Sequence, residues 1–306
     1  MFLFPPIQSS LMFLVPGSGN KPIGLEIAKQ LNCSVIDFET RRFPDGERYI
    51  RLVNDVPHET AIITQSFYKD PDGLLVEYFF LTKTLFELGA KAVVGAFPYM
   101  PYMRQDSRFK PGETISARVM ASIIESTATS SILALDCHLH RIINLSDLFN
   151  IPADNLSAIP ALAEYLKSIH SLDDPIVVAP DVEATQWARL AAPILGTEFI
   201  EMNKVRHGDT SIETDFTKFD PSKRDIVIVD DIISTGGTIA QVAGHLKQKG
   251  ANHVYALITH GLFAEGAYNR IRQAGVDDII TSDSVPNRFS KVSVASIFAR
   301  PLRMHQ

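Results

Sequence analysis

Short apolar runs bounded by turn residues alternate along the chain with longer stretches in which apolar residues recur every three or four positions. The runs at 12–15, 35–38, 49–53, 61–65, 92–97 and 132–135 predict strands in the first half. Those at 176–179, 198–202, 226–229, 254–259, 278–281 and 292–296 predict strands in the second. Between them, 23–31, 74–88, 116–127, 157–169, 183–195, 238–249 and 264–273 have helical periodicity. This alternation implies an α/β fold, parallel sheets with helices on both faces.

The pattern also echoes itself. "PGETISARVMASIIESTATSSILALDCH" and "TGGTIAQVAGHLKQKGANHVYALITH" share a plan of Gly, Thr-Ile, helix, strand and His. Gly112, Thr114 and Ile115 match Gly236, Thr238 and Ile239 at a constant offset, 236 − 112 = 124. "FLVPGSGNKPIGLEIAKQL" likewise resembles "IVVAPDVEATQWARLAAPIL". The echoes predict a duplication into two α/β domains, 1–150 and 151–306, joined near Asn150–Leu156, with the last segment packing back on the first domain. In open parallel sheets, ligands bind beyond the carboxyl ends of the strands.

Composition narrows the picture. The chain has 306 residues, 45% of them hydrophobic, enough for two medium cores. Its net charge of −6, with no block of like charges, argues against coating nucleic acid. Two cysteines, Cys33 and Cys137, exclude a disulfide framework and agree with a reducing cytoplasm. "MFLFPPIQSSLMFLV" has no basic residue before Lys21 and is broken by Pro5-Pro6, so no export signal is expected. The stretch before Met12 reads as an extension, with Met12 an alternative start. No apolar run reaches the roughly 20 residues that a membrane-spanning helix needs.

The unusual chemistry concentrates in "DIVIVDDIISTGGTI", Asp225 to Ile239. Two carboxylates, Asp230 and Asp231, follow an apolar strand, where an unpaired ion is costly. Ser234, Thr235 and Thr238 then offer hydroxyls, and Gly236 and Gly237 let backbone N–H groups turn inward above a helix N-terminus. That combination suits a phosphate dianion, and the carboxylates suit sugar hydroxyls. A capped helix beside a surface acidic pair would need neither two carboxylates nor two glycines. "GSGNKPIG" is only a near miss to a dinucleotide fingerprint, and there is no P-loop. In "RRFPDGERYIRL", Phe43 offers a slab for a purine, and Asp45 and Glu47 offer acceptors for its amino group. Asp45-Gly46 is also plain turn chemistry. "FPYMPYMRQDSRFKPGET" follows a strand and puts Arg104, Arg108 and Lys110 within reach of phosphates.

"DIVIVDDIISTGGTI" resembles the phosphoribosyl-diphosphate signature of the type I phosphoribosyltransferase fold. With "GSGN", "FPDGERYIRL", "YMPYMRQD", "DCHLHR", "FNIPADNL", "APDVEATQWA" and "IITSDSVP" in order, the chain from about Met12 resembles the ribose-phosphate diphosphokinase family. "RFKPGETISAR" and "HLHR" look like its archaeal-type branch. The resemblance implies two phosphoribosyltransferase-like domains, with ATP on the N-terminal side and ribose 5-phosphate on the C-terminal side. It implies transfer of the diphosphoryl group of ATP to the C1 hydroxyl of ribose 5-phosphate, giving AMP.

Carried over by motif, Phe43, Asp45 and Glu47 hold adenine, from a neighbouring subunit. Arg104 and Gln105 contact ATP, with Asp106 beside them. Asp230 and Asp231 accept the ribose hydroxyls, and Ser234, Thr235, Gly236, Gly237 and Thr238 cradle the 5-phosphate. His138 and Asp181 match the family's metal-associated residues, and Mg²⁺ is the implied ion. Lys204 and Arg206 alternate on one side of an extended segment, placing two charges on the transferring phosphoryl group. A homo-oligomer built from dimers is implied, with no nucleic acid and no membrane partner.

After Asp181 the family usually has a small residue, whereas this chain has Val182 and Glu183. Glu183 either caps the next helix or perturbs the site. His260 reads as site floor and Trp187 as core. The competing readings are a nucleobase phosphoribosyltransferase, which lacks "FPDGE" and the extra domain, and a non-catalytic regulatory homologue.

Overall fold

The computed structural model describes residues 12–108, 110–139, 141–142, 144–207, 211–215, 219–264 and 266–303, with the backbone alone for 203–207 and 211–215. The stretch before Met12 lies outside these residues. The chain divides into two units, Met1–Leu156 with Val294–Gln306, and Ser157–Ser293.

The first unit runs β1 (Met12–Pro16), α1 (Lys21–Leu31), β2 (Ser34–Val35), β3 (Phe38–Arg42), β4 (Arg48–Leu52), β5 (Thr60–Ser66) and α2 (Pro71–Glu87). It continues β6 (Ala92–Tyr99), α3 (Ser116–Glu125), β7 (Thr129–Leu135) and β8 (Ala153–Leu156). The second unit runs α4 (Ile159–Ile169), β9 (Ile176–Ala179), α5 (Thr185–Leu195), β10 (Phe199–Glu201), β11 (Asn203–His207) and β12 (Ser211–Asp215). It continues β13 (Ile226–Ile233), α6 (Gly237–Gln248), β14 (Val254–Gly261), α7 (Ala267–Gln273), β15 (Asp278–Ser282) and β16 (Ser290–Val292). A last helix, α8 (Ala295–Arg303), returns to the first unit.

One sheet has the order β2-β1-β5-β6-β7-β8 and the other β10-β9-β13-β14-β15-β16, and every pairing is parallel. Strands β1 and β9 are apolar and buried along their whole length because helices cover both faces. Each sheet is accompanied by one antiparallel hairpin, β3–β4 or β11–β12. Adding eight to each strand number of the first sheet gives the second, hairpin included. The duplication is therefore real in topology, but one echo is out of register. The segment α3–β7 corresponds to α7–β15, not to α6–β14, so the 124-residue offset slips by one strand–helix unit. The β1–α1 and β9–α5 match is in register.

The junction expected near 150–156 carries β8, whose Ala153–Leu156 pair with Ile132–Leu135 of β7, and the division falls after Leu156. One other expectation is corrected. The run at 292–296 is not a strand: β16 ends at Val292 and α8 begins at Ala295. Ala295, Phe298, Ala299 and Leu302 are buried at spacings of three, four and seven, the stripe of a helix packed on one side. That side meets α1, and Arg303 Nη2 donates to the Gln30 carbonyl at 2.6 Å. Among the described residues, no helix is long and apolar enough to cross a membrane.

Candidate functional site

In the second unit the opening motif is built from β13, its following loop and α6. The strand does not stop at Val229 as its apolar run suggested. It runs through both acids to Ile233, pairing Asp230 with Ile258 and Ile232 with His260. Consecutive strand residues point to opposite faces. Asp231 is accordingly fully buried, whereas Asp230 is half-buried and its Oδ1 accepts from Asp231 N at 3.0 Å. Burial raises the Asp230 carboxyl well above its ordinary value, and the neighbouring charges of Asp231 and Asp181 push it further.

Beyond the acids, Gly236 turns the chain with φ of +72°, a region open to glycine. A Cβ there would lie 2.8 Å from Ile271 Cδ1. A Cβ on Gly237 would meet nothing nearer than Thr235 Oγ1 at 3.8 Å. Helix α6 then starts with Gly236 as N-cap and no side-chain capping bond. Its first N–H groups point along the axis, where a helix end favours an anion. Ser234 and Thr238 are half-buried and Thr235 exposed around that turn, so all five predicted loop residues come together at the carboxyl edge of the sheet.

Asp181 sits in the loop after β9, the strand next to β13. Its Oδ1 accepts from Ala184 N at 3.2 Å, so Asp181 caps the turn that opens α5. Glu183, offered as that cap by the sequence, is exposed and precedes the helix. Lys204 and Arg206 lie on β11 opposite Thr214 and Ile212 of β12, two residues apart and hence on one face of the hairpin. His260 is buried and bonded through Nδ1 to Ser284 Oγ at 2.8 Å, and Trp187 is core.

In the first unit, Phe43–Glu47 form the tip of the β3–β4 hairpin. Phe43 N donates to the Glu47 carbonyl at 2.8 Å, and Gly46 has φ of +96°. Phe43 is 38% exposed, packs edge-on to Tyr49, and carries the Arg41 guanidinium 4.5 Å from its ring centre. Between this tip and α2 opens a cavity of about 550 Å³, lined by Arg42, Glu47, Arg48, Asp70, Val76 and Phe80 among others.

Arg104 is exposed and Gln105 half-buried in the loop after β6. Asp106 follows them in the same loop. It is buried, and Oδ2 accepts from the backbone N–H groups of Arg141 and Ile142. It thus ties the loop after β6 to the one after β7, which carries half-buried His138.

His138 belongs to the first unit and Asp181 to the second. Among the described residues, no group of three or more His, Cys, Asp and Glu is gathered to hold a metal ion. One residue escaped the sequence reading. Glu77 is fully buried on α2 and accepts from Ser18 N and Oγ, Gln65 Nε2 and Arg48 Nη1, at 2.6–2.9 Å. The signal was there, an acid inside the apolar run "LLVEYFF".

Residues 12–127 match the model of the N-terminal domain of ribose phosphate pyrophosphokinase, and 219–299 match that of the phosphoribosyl synthetase-associated domain. The ribose-phosphate pyrophosphokinase of Methanothermobacter thermautotrophicus is 38% identical over 92% of this chain and 96% of its own. That of Methanobrevibacter smithii is 35% identical over 95% and 99%. The crystal structure of phosphoribosylpyrophosphate synthetase from Mycobacterium smegmatis superimposes with a TM-score of 0.86 at 26% identity, covering 96% of this chain and 98% of that one. The slipped repeat, the acid-bearing strand and the two hairpins thus sit in a chain that matches these relatives nearly end to end, and it belongs to the ribose-phosphate pyrophosphokinase family.

Proposed function

We propose that the protein transfers the β,γ-diphosphoryl group of ATP to the C1 hydroxyl of ribose 5-phosphate, forming 5-phosphoribosyl 1-diphosphate and AMP. The observation that carries this reading is the run of Asp230, Asp231, left-handed Gly236 and the side-chain-uncapped start of α6. It provides hydroxyl acceptors and an anion seat on one strand–helix turn, the two ends of a phosphorylated pentose.

Asp230 and Asp231 accept the ribose hydroxyls. The N–H groups and hydroxyls of Ser234, Thr235, Gly236, Gly237 and Thr238 hold the 5-phosphate. Phe43 stacks on adenine while Asp45 and Glu47 accept from its amino group, and Arg104 and Gln105 bind ATP. Asp106 serves differently from its neighbours: it fixes the loop that bears His138. Lys204 and Arg206 offset the charge that grows on the β-phosphoryl oxygens during attack.

Mg²⁺ suits this donor set. Asp181 and Asp231 raise the proton affinity of Asp230, and a carboxylate so placed gains from a nearby cation. In the second unit Asp181 is the residue that would hold it, the phosphate oxygens supplying most of the other ligands, and His138 of the first unit is the other residue that the family resemblance assigns to the metal. When bound, it would neutralise phosphate charge. The C1 hydroxyl loses its proton without an assigned general base.

The protein works in the cytoplasm as a homo-oligomer in this reading, which the exposed Val76 and Phe80 on α2 and Val119 and Ile123 on α3 favour. The test mixes protein, ATP, ribose 5-phosphate and Mg²⁺ and follows AMP. Equimolar AMP and 5-phosphoribosyl 1-diphosphate are expected, and neither without Mg²⁺. Absence of AMP while both substrates bind would leave a non-catalytic binder in its place.

A further inference from the structure

Because the units repeat one topology, the N-terminus of α2 after β5 is the counterpart of the N-terminus of α6 after β13. The two ends are built for opposite tasks. Helix α6 starts with no side-chain cap. Helix α2 is capped by Asp70, whose Oδ1 accepts from Gly73 N at 3.2 Å, and it carries Asp72 in its first turn. Two carboxylates there repel a phosphate dianion.

The other oxygen of Asp70 reaches the hairpin. Oδ2 accepts from Arg42 Nη2 at 2.8 Å and stands 3.6 Å from Arg48 Nη2. About two turns further along α2, Glu77 takes Arg48 Nη1 at 2.6 Å. Arg42 and Arg48 are direct partners across the β3–β4 ladder and bracket the tip 43–47. Like charges placed opposite each other destabilise a ribbon. Here each has a carboxylate of α2 beneath it. The Arg48 side chain is 10% exposed and that of Glu77 0%, so this pair is firm, and Ser18 in the loop after β1 and Gln65 on β5 brace the acid.

We infer that α2 is the mount of the adenine hairpin: Glu77 and Asp70, through Arg48 and Arg42, fix the angle at which Phe43, Asp45 and Glu47 meet the base. These four are positioning residues, and the duplicated phosphate seat has become an anchor in this unit. The inference rests on the reading that the hairpin binds adenine.

The test is steady-state kinetics of the full chain with Mg²⁺, varying ATP and ribose 5-phosphate separately. Arg48→Lys keeps the charge but loses the planar fork, and it should raise KM for ATP about tenfold. Asp70→Asn preserves the cap, since asparagine caps as well as aspartate, and removes only the charge. It should raise KM for ATP about two- to fivefold, the range for an exposed pair. Both should leave kcat and KM for ribose 5-phosphate within about twofold. Arg42→Gln combined with Asp70→Asn should be no worse than the worse single variant, because both act through one contact.

Phe43→Ala separates the two levels of the argument. If it leaves KM for ATP unchanged, the hairpin does not bind adenine and the inference falls with that reading. If it raises KM while Arg48→Lys and Asp70→Asn do not, or if these lower kcat alone, the mount is wrong and the hairpin reading stands.

Discussion

Asp230 is kept where its charged form is disfavoured, by burial first and then by Asp231 and Asp181. Such a site costs the empty fold stability and is maintained for the ligand that relieves it. The sign follows from linkage. With its pKa raised on folding, Asp230 binds its proton more tightly in the folded chain, so stability falls as pH rises through that titration. Asp230→Asn should therefore raise Tm of the ligand-free, metal-free protein at pH 8. The gain should shrink as pH falls and vanish at about pH 3, below both titrations. The same substitution should abolish saturable binding of ribose 5-phosphate, read by calorimetry. A Tm at pH 8 equal to or below that of the parent would show that the buried charge is already compensated. Lys204 poses the opposite case, a charge assigned to the transition state. Lys204→Ala should slow turnover at least tenfold, the loss of one such donor being about 2.7–4 kcal/mol, with ATP affinity nearly unchanged. An unaltered kcat removes it from the mechanism.

At the scale of elements, the turn between β13 and α6 depends on one backbone angle. Gly236→Ala forces a Cβ into the left-handed region, at about 1–2 kcal/mol, and against Ile271, at about 1–3 kcal/mol more. The expected result is a lower Tm together with loss of ribose 5-phosphate affinity, whereas Gly237→Ala, which meets nothing close, should spare Tm and lose affinity alone. Equal effects on Tm would mean the two glycines serve the fold only. This turn was legible in the sequence because glycine and hydroxyl residues mark it locally. So was the β3–β4 hairpin, through Asp45-Gly46. What local pattern could not carry was the continuation of β13 through two acids. Pairing with Ile258 and His260 holds that backbone extended against the low strand preference of aspartate. Helix α8 was misread for a related reason. Val292 and Val294, either side of Ser293, imitate a strand's alternation, and the helical stripe at 295, 298, 299 and 302 becomes visible only once α1 is seen as its partner. Asp106 and Glu77 failed to show their tasks because their partners lie far along the chain, at Arg141 and at Arg48, Ser18 and Gln65.

At the scale of the whole molecule, the duplication closes in an asymmetric way. In the second unit α4 precedes β9 and packs on α5, while in the first its counterpart α8 comes from the far end of the chain and packs on α1. The second unit is therefore contiguous, and the first is completed only when the last helix has been made. Phe298 and Leu302 are buried, at about 1.5–3 kcal/mol each, a large part of the roughly 5–15 kcal/mol that holds a domain. A chain ending at Ser293 should lose its first unit's stability, its earlier thermal transition falling by roughly 10 °C or more. Residues 157–293 expressed alone contain every strand and helix of the second unit. They should unfold cooperatively and bind ribose 5-phosphate without releasing AMP from ATP, since the hairpin proposed to hold adenine stays behind. Should that fragment prove unfolded while the truncated chain melts like the parent, the cores would not be independent. Helix α8 would then be an appendage rather than the missing piece of a repeat.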